Sequence, residues 1–170
     1  YSAISSGSFG CRVSSPGFLF DTKGSCIFGE PKVLPYYSAL LNCCVSKYFL
    51  NVLCPTMDFS MVGVKQIPVF GKTPNFERVN YLTERLISVS KKDWNSFETS
   101  WDFEKSPLLN ENLTISESFQ TWQEQVAKDF FQLHANEEEL NRIFIDIYGL
   151  QEELTPEVPL TEITILQDVL

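Results

Sequence analysis

The sequence has few of the residues that build metal sites. His134 is the only histidine among its 170 residues, and none of the five cysteines belongs to a Cys-x-x-Cys pair. A structural zinc site needs four well-placed Cys or His ligands, so the sequence predicts none. The cysteine count is odd and the thiols lie in apolar runs, which predicts reduced thiols of the kind found in cytoplasmic proteins.

Motifs that bind nucleotides or phosphate are absent as well. The sequence contains no P-loop and no glycine-rich turn between a predicted strand and a helix. It has no Pro-Pro pair, which excludes the Asn/Asp-Pro-Pro-Tyr/Phe loop that grips a flipped adenine in amino-methyltransferases. Asp21, Glu30 and Lys32 are the residue types of a metal-dependent nuclease, but Pro31 would interrupt the strand that has to align Glu30 with Lys32. We therefore expect no catalytic residue and no cofactor site in this chain.

Long apolar runs are missing too, which bears on where the protein resides. No run reaches the ~20 residues needed to cross a bilayer. The first ten residues, YSAISSGSFG, lack the basic and apolar regions of a signal peptide. Because the sequence does not start with Met, we interpret it as part of a longer polypeptide. We expect a cytoplasmic location and no membrane partner.

The composition is that of a folded chain with unevenly distributed charge. Hydrophobic residues make up 44% of the sequence and aromatic residues 14%, which indicates a globular protein rather than a disordered one. Residues 1–80 hold seven Lys/Arg against four Asp/Glu, a net charge of +3, whereas residues 81–170 hold six against eighteen, a net charge of -12. We expect the first part to tolerate a polyanion and the second part to repel one.

Strand signals are confined to the first half of the sequence. Residues 17–20 and 25–28 are β-prone runs, and Asp21-Thr22-Lys23-Gly24 between them suits a tight turn, so a hairpin is predicted. A further strand is predicted over residues 64–70, which follow the unusual segment CPTMDFSMVGVKQIPVF. These runs predict a small β-rich module near the amino-terminal end of the sequence.

Helix signals occur at four places. Helices are predicted over residues 36–53, from Thr73-Pro74 onward, from the capping box Thr114-x-x-Glu117 to about His134, and from Asn136 to Tyr148. Pro55 would end the first of these helices, and Gly149 offers a stop for the last. Trp94, Trp101 and Trp122 could be base-stacking platforms, but they lie among acidic residues, so packing against helices is the favoured interpretation.

Two stretches of the first half resemble the target recognition domains of bacterial DNA modification enzymes. The run SALLNCCVSKYFLNVLCPTMDFSMVGVKQIPVF is similar to the end of such a domain, where a Leu-Leu-Asn-Ser-Lys helix precedes Pro-Thr-x-Asn-Phe and a segment ending in Ile/Leu-Pro. Upstream, PGFLFDTKGSCIF is similar to the matching Phe-Asp-x-Lys-Gly-Ser hairpin. The sequence departs from this pattern at Asp58, where the family usually has Asn, and at Val62-Gly63, where it usually has Gly-Asp.

The second half carries the more specific resemblance. KKDWNSFETSWDFEKSPLL and NEEELNRIFIDIYGLQEELTPEV are similar to the C-terminal region of PglX-type adenine-specific DNA methyltransferases of BREX phage-defence systems. Type IIG restriction–modification proteins share the looser pattern of the first half. The resemblance implies a parent enzyme that uses S-adenosylmethionine and acts on double-stranded DNA, with its catalytic core outside this chain.

These observations predict an α+β chain with a small β-rich recognition-type module over residues 1–72 and a mainly helical, acidic unit over residues 73–170. Its expected role is non-catalytic: DNA recognition or support for a site-specific adenine-N6 DNA methyltransferase. The residues expected to contact DNA are Arg12, Lys23, Ser25 and Lys65. Two alternatives remain: the acidic helical part is an interaction module that docks another defence-system protein, or the chain is the C-terminal part of a type IIG enzyme.

Overall fold

The computed structural model describes residues 1–71, 73–109, 113–163 and 165. Over these ranges the secondary structure is helical. The helices are α1 (Leu34–Asn42), α2 (Cys44–Leu53), α3 (Met61–Val64), α4 (Phe76–Trp94) and α5 (Ile115–Tyr148), followed by a single 3₁₀ turn (Leu160–Glu162).

The predicted α+β fold with a β-rich module is therefore wrong. Within the described ranges, β pairing is limited to two isolated bridges, between Ser2 and Gly24 and between Ile4 and Asp58. The β-prone runs 17–20 and 25–28 do not pair as a hairpin, and most of their apolar side chains are exposed, Leu19 to 99%. A two-stranded ribbon is only marginally stable unless a third strand or a core covers one face, and this segment has neither.

The chain divides into two compact units. Unit 1 comprises residues 1–83 and 139–157, and unit 2 comprises residues 84–138 and 158–170. Unit 1 contains a core in which Phe9, Leu41, Leu50, Phe59 and Ile67 are buried together. Unit 2 contains a smaller core built on Phe130, Leu133 and Ile163. The predicted division of the chain at residue 72 stays a prediction.

Two helices, not one, occupy the predicted helix over residues 36–53. Cys43 separates α1 from α2 because its backbone is extended, with φ -73° and ψ 163°. The break is stabilised by hydrogen bonds: the Leu40 carbonyl accepts from the Ser46 hydroxyl at 2.6 Å and from the Cys43 thiol at 3.0 Å. Asn141 Oδ1 accepts from the Cys44 amide at 3.0 Å. These contacts satisfy backbone groups that an interrupted helix would otherwise leave without partners.

The strand predicted over residues 64–70 is also wrong. Ser60 caps α3 by accepting a hydrogen bond from the Gly63 amide at 3.1 Å, and Val64 is the last residue of that helix. Beyond α3, the Pro68 carbonyl accepts a hydrogen bond from the Tyr148 hydroxyl. The Phe70 ring lies 5.0 Å from the Tyr148 ring, centroid to centroid. The segment is thus held by side chains of α5 and not by a neighbouring strand.

The helix signals of the second half are confirmed at both ends of α5. Thr114 and Glu117 form the capping box: the Thr114 amide donates to Glu117 Oε2 at 2.8 Å, and the Glu117 amide donates to Thr114 Oγ1 at 3.3 Å. Gly149 has φ +66° and ends the helix, with the Leu150 amide bonded to the Ile145 carbonyl at 3.0 Å. The predicted interruption between His134 and Asn136 is wrong, because α5 runs through it.

Two of the three tryptophans do not pack as predicted. Trp101 is 95% exposed and Trp94 is 56% exposed, whereas Trp122 is half-buried and contacts Phe119 at 6.1 Å between ring centroids. All three lie in unit 2, and all six tyrosines lie in unit 1. Tyrosine signals therefore report on unit 1, and tryptophan signals report on unit 2.

Candidate nucleic-acid interface

Residues 2–5 hydrogen-bond to two of the predicted functional stretches. The Ala3 amide donates to the Lys23 carbonyl at 2.9 Å, and the Ala3 carbonyl accepts from the Phe59 amide at 2.7 Å. The Ser5 amide donates to the Met57 carbonyl at 3.0 Å. Residues 2–5 thus hydrogen-bond to the Lys23 backbone and to that of residues 57–59.

Lys23 lies in the turn that the sequence predicts. Asp21 Oδ1 accepts from the backbone amides of Lys23 at 2.8 Å and Gly24 at 2.9 Å, which closes the turn. These two hydrogen bonds, that from Gly24 being the larger effect, lower the pKa of the Asp21 carboxyl. The Lys23 side chain is exposed, and Ser25 is half-buried two residues later.

Lys65 lies immediately after α3, six residues beyond Phe59, whose amide donates to the Ala3 carbonyl. Its amide donates to the Met61 carbonyl at 3.1 Å, so its backbone is fixed by the last turn of the helix. Val64 and Ile67 on either side are buried in the core of unit 1, whereas Lys65 is exposed. The core packing of its neighbours therefore holds Lys65 at the surface.

Arg12 is held at a different place in unit 1. Asn42, at the end of α1, accepts from the Cys11 amide at 3.0 Å and donates to the Cys11 carbonyl at 3.1 Å. Arg12 follows directly and is exposed. The backbone contacts of residues 2–5 thus bring Lys23, Ser25 and the segment before Lys65 together, but they do not include Arg12.

Ion pairing distinguishes the predicted cations from Lys32, Arg78 and Arg142 of unit 1. Within the described ranges, Arg12, Lys23 and Lys65 have no carboxylate oxygen within 4 Å, while Lys32 pairs with Glu30 at 3.3 Å. One carboxylate oxygen of Glu139 lies 4.0 Å from a guanidinium nitrogen of Arg78, and the other lies 2.6 Å from a guanidinium nitrogen of Arg142. Unlike Lys32 and Arg78, the predicted cations are therefore available to a phosphate without first breaking an ion pair.

The sequence-based charge division missed the second part of unit 1. Residues 139–157 carry five acidic residues and one arginine, so unit 1 as a whole holds eight Lys/Arg against nine Asp/Glu, a net charge of -1. Asn141 fixes this part in place, accepting from Cys44 and donating to the Pro156 carbonyl at 3.1 Å. Local spacing gives no signal for a contact between residues 97 positions apart. The unit is nearly neutral, and its capacity to bind a polyanion depends on where its exposed lysines lie.

The part of the chain that the structure describes has no group of three or more His, Cys, Asp or Glu side chains placed to hold a metal ion. None of the helices described is both long and apolar enough to span a bilayer.

The chain is similar in sequence to two known methyltransferases. It is 49% identical over 164 residues to the "Adenine-specific methyltransferase PglX" of Lacticaseibacillus casei (strain Zhang), a match covering 92% of this chain and 14% of that protein. It is 34% identical over 159 residues to the "Adenine-specific methyltransferase BrxX" of Escherichia coli O9:H4 (strain HS), covering 91% of this chain and 13% of that protein. No protein-family model matches. The chain therefore spans only a small share of the curated relatives it matches.

Proposed function

The chain belongs to the family of adenine-specific methyltransferases that includes PglX and BrxX, and on this premise we propose that it is a DNA-contacting, non-catalytic segment of such an enzyme. The parent enzyme would methylate adenine N6 at a specific site in double-stranded DNA, in a bacterial phage-defence system and in the cytoplasm. Within this chain, Lys23, Ser25, Lys65 and Arg12 would contact the duplex.

The backbone arrangement of residues 2–5 is the observation that carries this proposal. Residues 2–5 hydrogen-bond both to Lys23 and to residues 57–59, which precede α3 and Lys65. Both lysines are exposed and lack an ion pair among the described residues, so a phosphate would not have to displace a carboxylate.

The charge of unit 1 limits what these residues can do alone. A net charge of -1 gives little general attraction for DNA, so the isolated chain should bind a duplex weakly. Phosphate contacts fix the position of a protein on DNA, whereas contacts to base edges read the sequence. We assign Lys23, Lys65 and Arg12 to positioning, and Ser25, the one predicted residue with a neutral hydroxyl, to a base or phosphate contact.

The residues of this chain do not fit S-adenosylmethionine, the methyl donor expected for the parent enzyme. The described part has no sheet, and the sequence has no glycine-rich turn leading from a strand to a helix. We therefore assign the donor, and the methyl-transfer chemistry that it supplies, to the part of the parent enzyme outside this chain.

The proposal is tested by the salt dependence of DNA binding in the full-length enzyme. Each lost phosphate contact lowers the slope of log affinity against log salt by about 0.9, so Lys23→Ala/Lys65→Ala should reduce its magnitude by about two. The matched control is Lys32→Ala/Arg78→Ala, which removes the same charge from the same unit but at cations that already pair with Glu30 and Glu139.

The control should leave the slope within about half a unit of the unmodified enzyme, because paired cations release few counterions. Equal slopes for the unmodified enzyme and the Lys23/Lys65 variant would contradict the assignment. So would equal reductions in both variants, because that result would mean that only net charge matters.

A further inference from the structure

The loop that follows α4 in unit 2 has a defined, hydrogen-bonded conformation. The Ser100 hydroxyl donates to Asn95 Oδ1 at 2.8 Å and accepts from the Asp102 amide at 3.2 Å. The Ser100 amide donates to the Phe97 carbonyl at 3.0 Å, and the Phe97 amide donates to the Trp94 carbonyl at 3.3 Å. Ser100 is itself buried. A serine at the centre of the loop thus holds its backbone in one shape.

This loop presents large aromatic side chains to solvent. Trp101 is 95% exposed, Trp94 56% and Phe97 45%. Tryptophan is highly buried on average, so a nearly fully exposed one on an ordered loop needs an explanation. Tryptophan and other aromatic residues are also enriched at the centres of protein interfaces, where they supply much of the binding energy. We define Trp94, Phe97 and Trp101 as the aromatic loop surface.

The surroundings of the aromatic loop surface are acidic. Residues 93–104 contain four carboxylates and no Lys or Arg. Asp102 pairs with Lys91 at 3.4 Å. Glu98 and Glu104 are exposed and have no cation within 4 Å among the described residues. Lys105 follows Glu104 in the sequence, and Glu98 and Glu104 are the carboxylates through which this loop can attract a positive charge.

We propose that the aromatic loop surface binds a basic, arginine-bearing segment of another protein. An arginine side chain stacks on an indole face through a cation–π contact, and its guanidinium pairs with a carboxylate through two parallel hydrogen bonds. Trp101 supplies the indole face, and Glu98 and Glu104 supply the carboxylates. Because the loop is already ordered by Ser100, binding does not have to pay for its ordering.

A site-specific photo-crosslink in the full-length enzyme, expressed in its own host cells, tests this proposal. p-Benzoylphenylalanine replaces Phe97, and the crosslinked peptides are identified by mass spectrometry. The expected product joins residue 97 to a peptide of a different protein that carries Arg or Lys next to the attachment point. The control places the same amino acid at Gln120, an exposed position of α5 in the same unit, and should not give this product.

Two variants test the chemistry of binding. Trp101→Ala removes the indole, and its exposure means that no core contact is lost; the crosslink yield should fall roughly threefold to thirtyfold, the range expected for one cation–π contact. Glu98→Gln/Glu104→Gln keeps the side-chain size and should also lower the yield. Crosslinks confined to the enzyme's own polypeptide, to DNA or to a peptide without basic residues would overturn the proposal, as would an unchanged yield in both variants.

Discussion

Gly63 is the position where adding a single carbon should have the largest effect on unit 1. A Cβ at residue 63 would lie 2.3 Å from the Cys54 sulfur and 3.4 Å from the Leu53 carbonyl oxygen. Cys54 is buried in the core of unit 1, so its sulfur has little room to move. Overpacking of this kind costs about 1–3 kcal/mol, and we expect Gly63→Ala to lower the unfolding free energy of unit 1 by that amount.

Removing the sulfur should remove the clash. Cys54→Ala deletes one buried heavy atom, at a cost of about 1 kcal/mol, similar to that of a buried methylene. In Cys54→Ala/Gly63→Ala the new Cβ occupies the space that the sulfur leaves, and the remaining contact with Leu53 is at an ordinary distance. The unfolding free energy of the double variant should therefore exceed, by about 1–3 kcal/mol, the value obtained by adding the effects of the two single substitutions.

The assay uses the separation of aromatic residues between the units. ¹⁹F NMR of 3-fluorotyrosine follows urea unfolding of unit 1, because all six tyrosines lie there, and tryptophan fluorescence follows unit 2. Gly63→Ala should shift the tyrosine transition to lower urea and leave the tryptophan transition less affected. A Gly63→Ala chain as stable as the unmodified one, or strictly additive effects in the double variant, would refute the reasoning about close approach at Gly63.

Two further predictions concern capping and burial. Thr114→Ala removes the side-chain cap of α5 and should lower the unfolding free energy of unit 2 by about 1 kcal/mol in tryptophan-monitored urea unfolding, with Ser116→Ala, an exposed neighbour, as the control; equal effects would argue against the cap. Burial raises the pKa of the Cys43 thiol to about 12. The folded state thus keeps on this thiol a proton that the unfolded state loses near pH 9, so the contribution of Cys43 to stability is full below pH 9 and falls above it by about 1.4 kcal/mol per pH unit. Cys43→Ala should flatten this decline in the fluorotyrosine assay between pH 8 and 10.5, and an unchanged slope would contradict it.

Local signals in the sequence predicted the features of the fold that depend on a few neighbouring residues. The capping box at Thr114, the glycine stop at Gly149 and the turn closed by Asp21 all appear where the sequence predicts them. Each depends on side-chain or backbone groups within five residues, so the sequence contains the whole interaction.

The errors arose where distant residues decide the outcome. The break at Cys43 depends partly on Asn141, and residues 68–70 are held by Tyr148 of α5. The β-prone runs 17–20 and 25–28 have the propensity for strands but no partner to pair with, and propensity alone does not make a sheet. The near-neutral charge of unit 1 was missed for the same reason, since residues 139–157 fold into it from the far end of the sequence.

Amide hydrogen exchange of the full-length enzyme, with and without duplex DNA at low salt, tests the central claim most directly. If Lys23, Ser25 and Lys65 contact DNA, peptides covering residues 20–28 and 57–67 should exchange more slowly when the duplex is bound. Peptides covering residues 94–104, the aromatic loop surface, should exchange at the same rate in both conditions. Unchanged exchange in the first two regions under saturating DNA, or slowing confined to residues 94–104, would contradict the account.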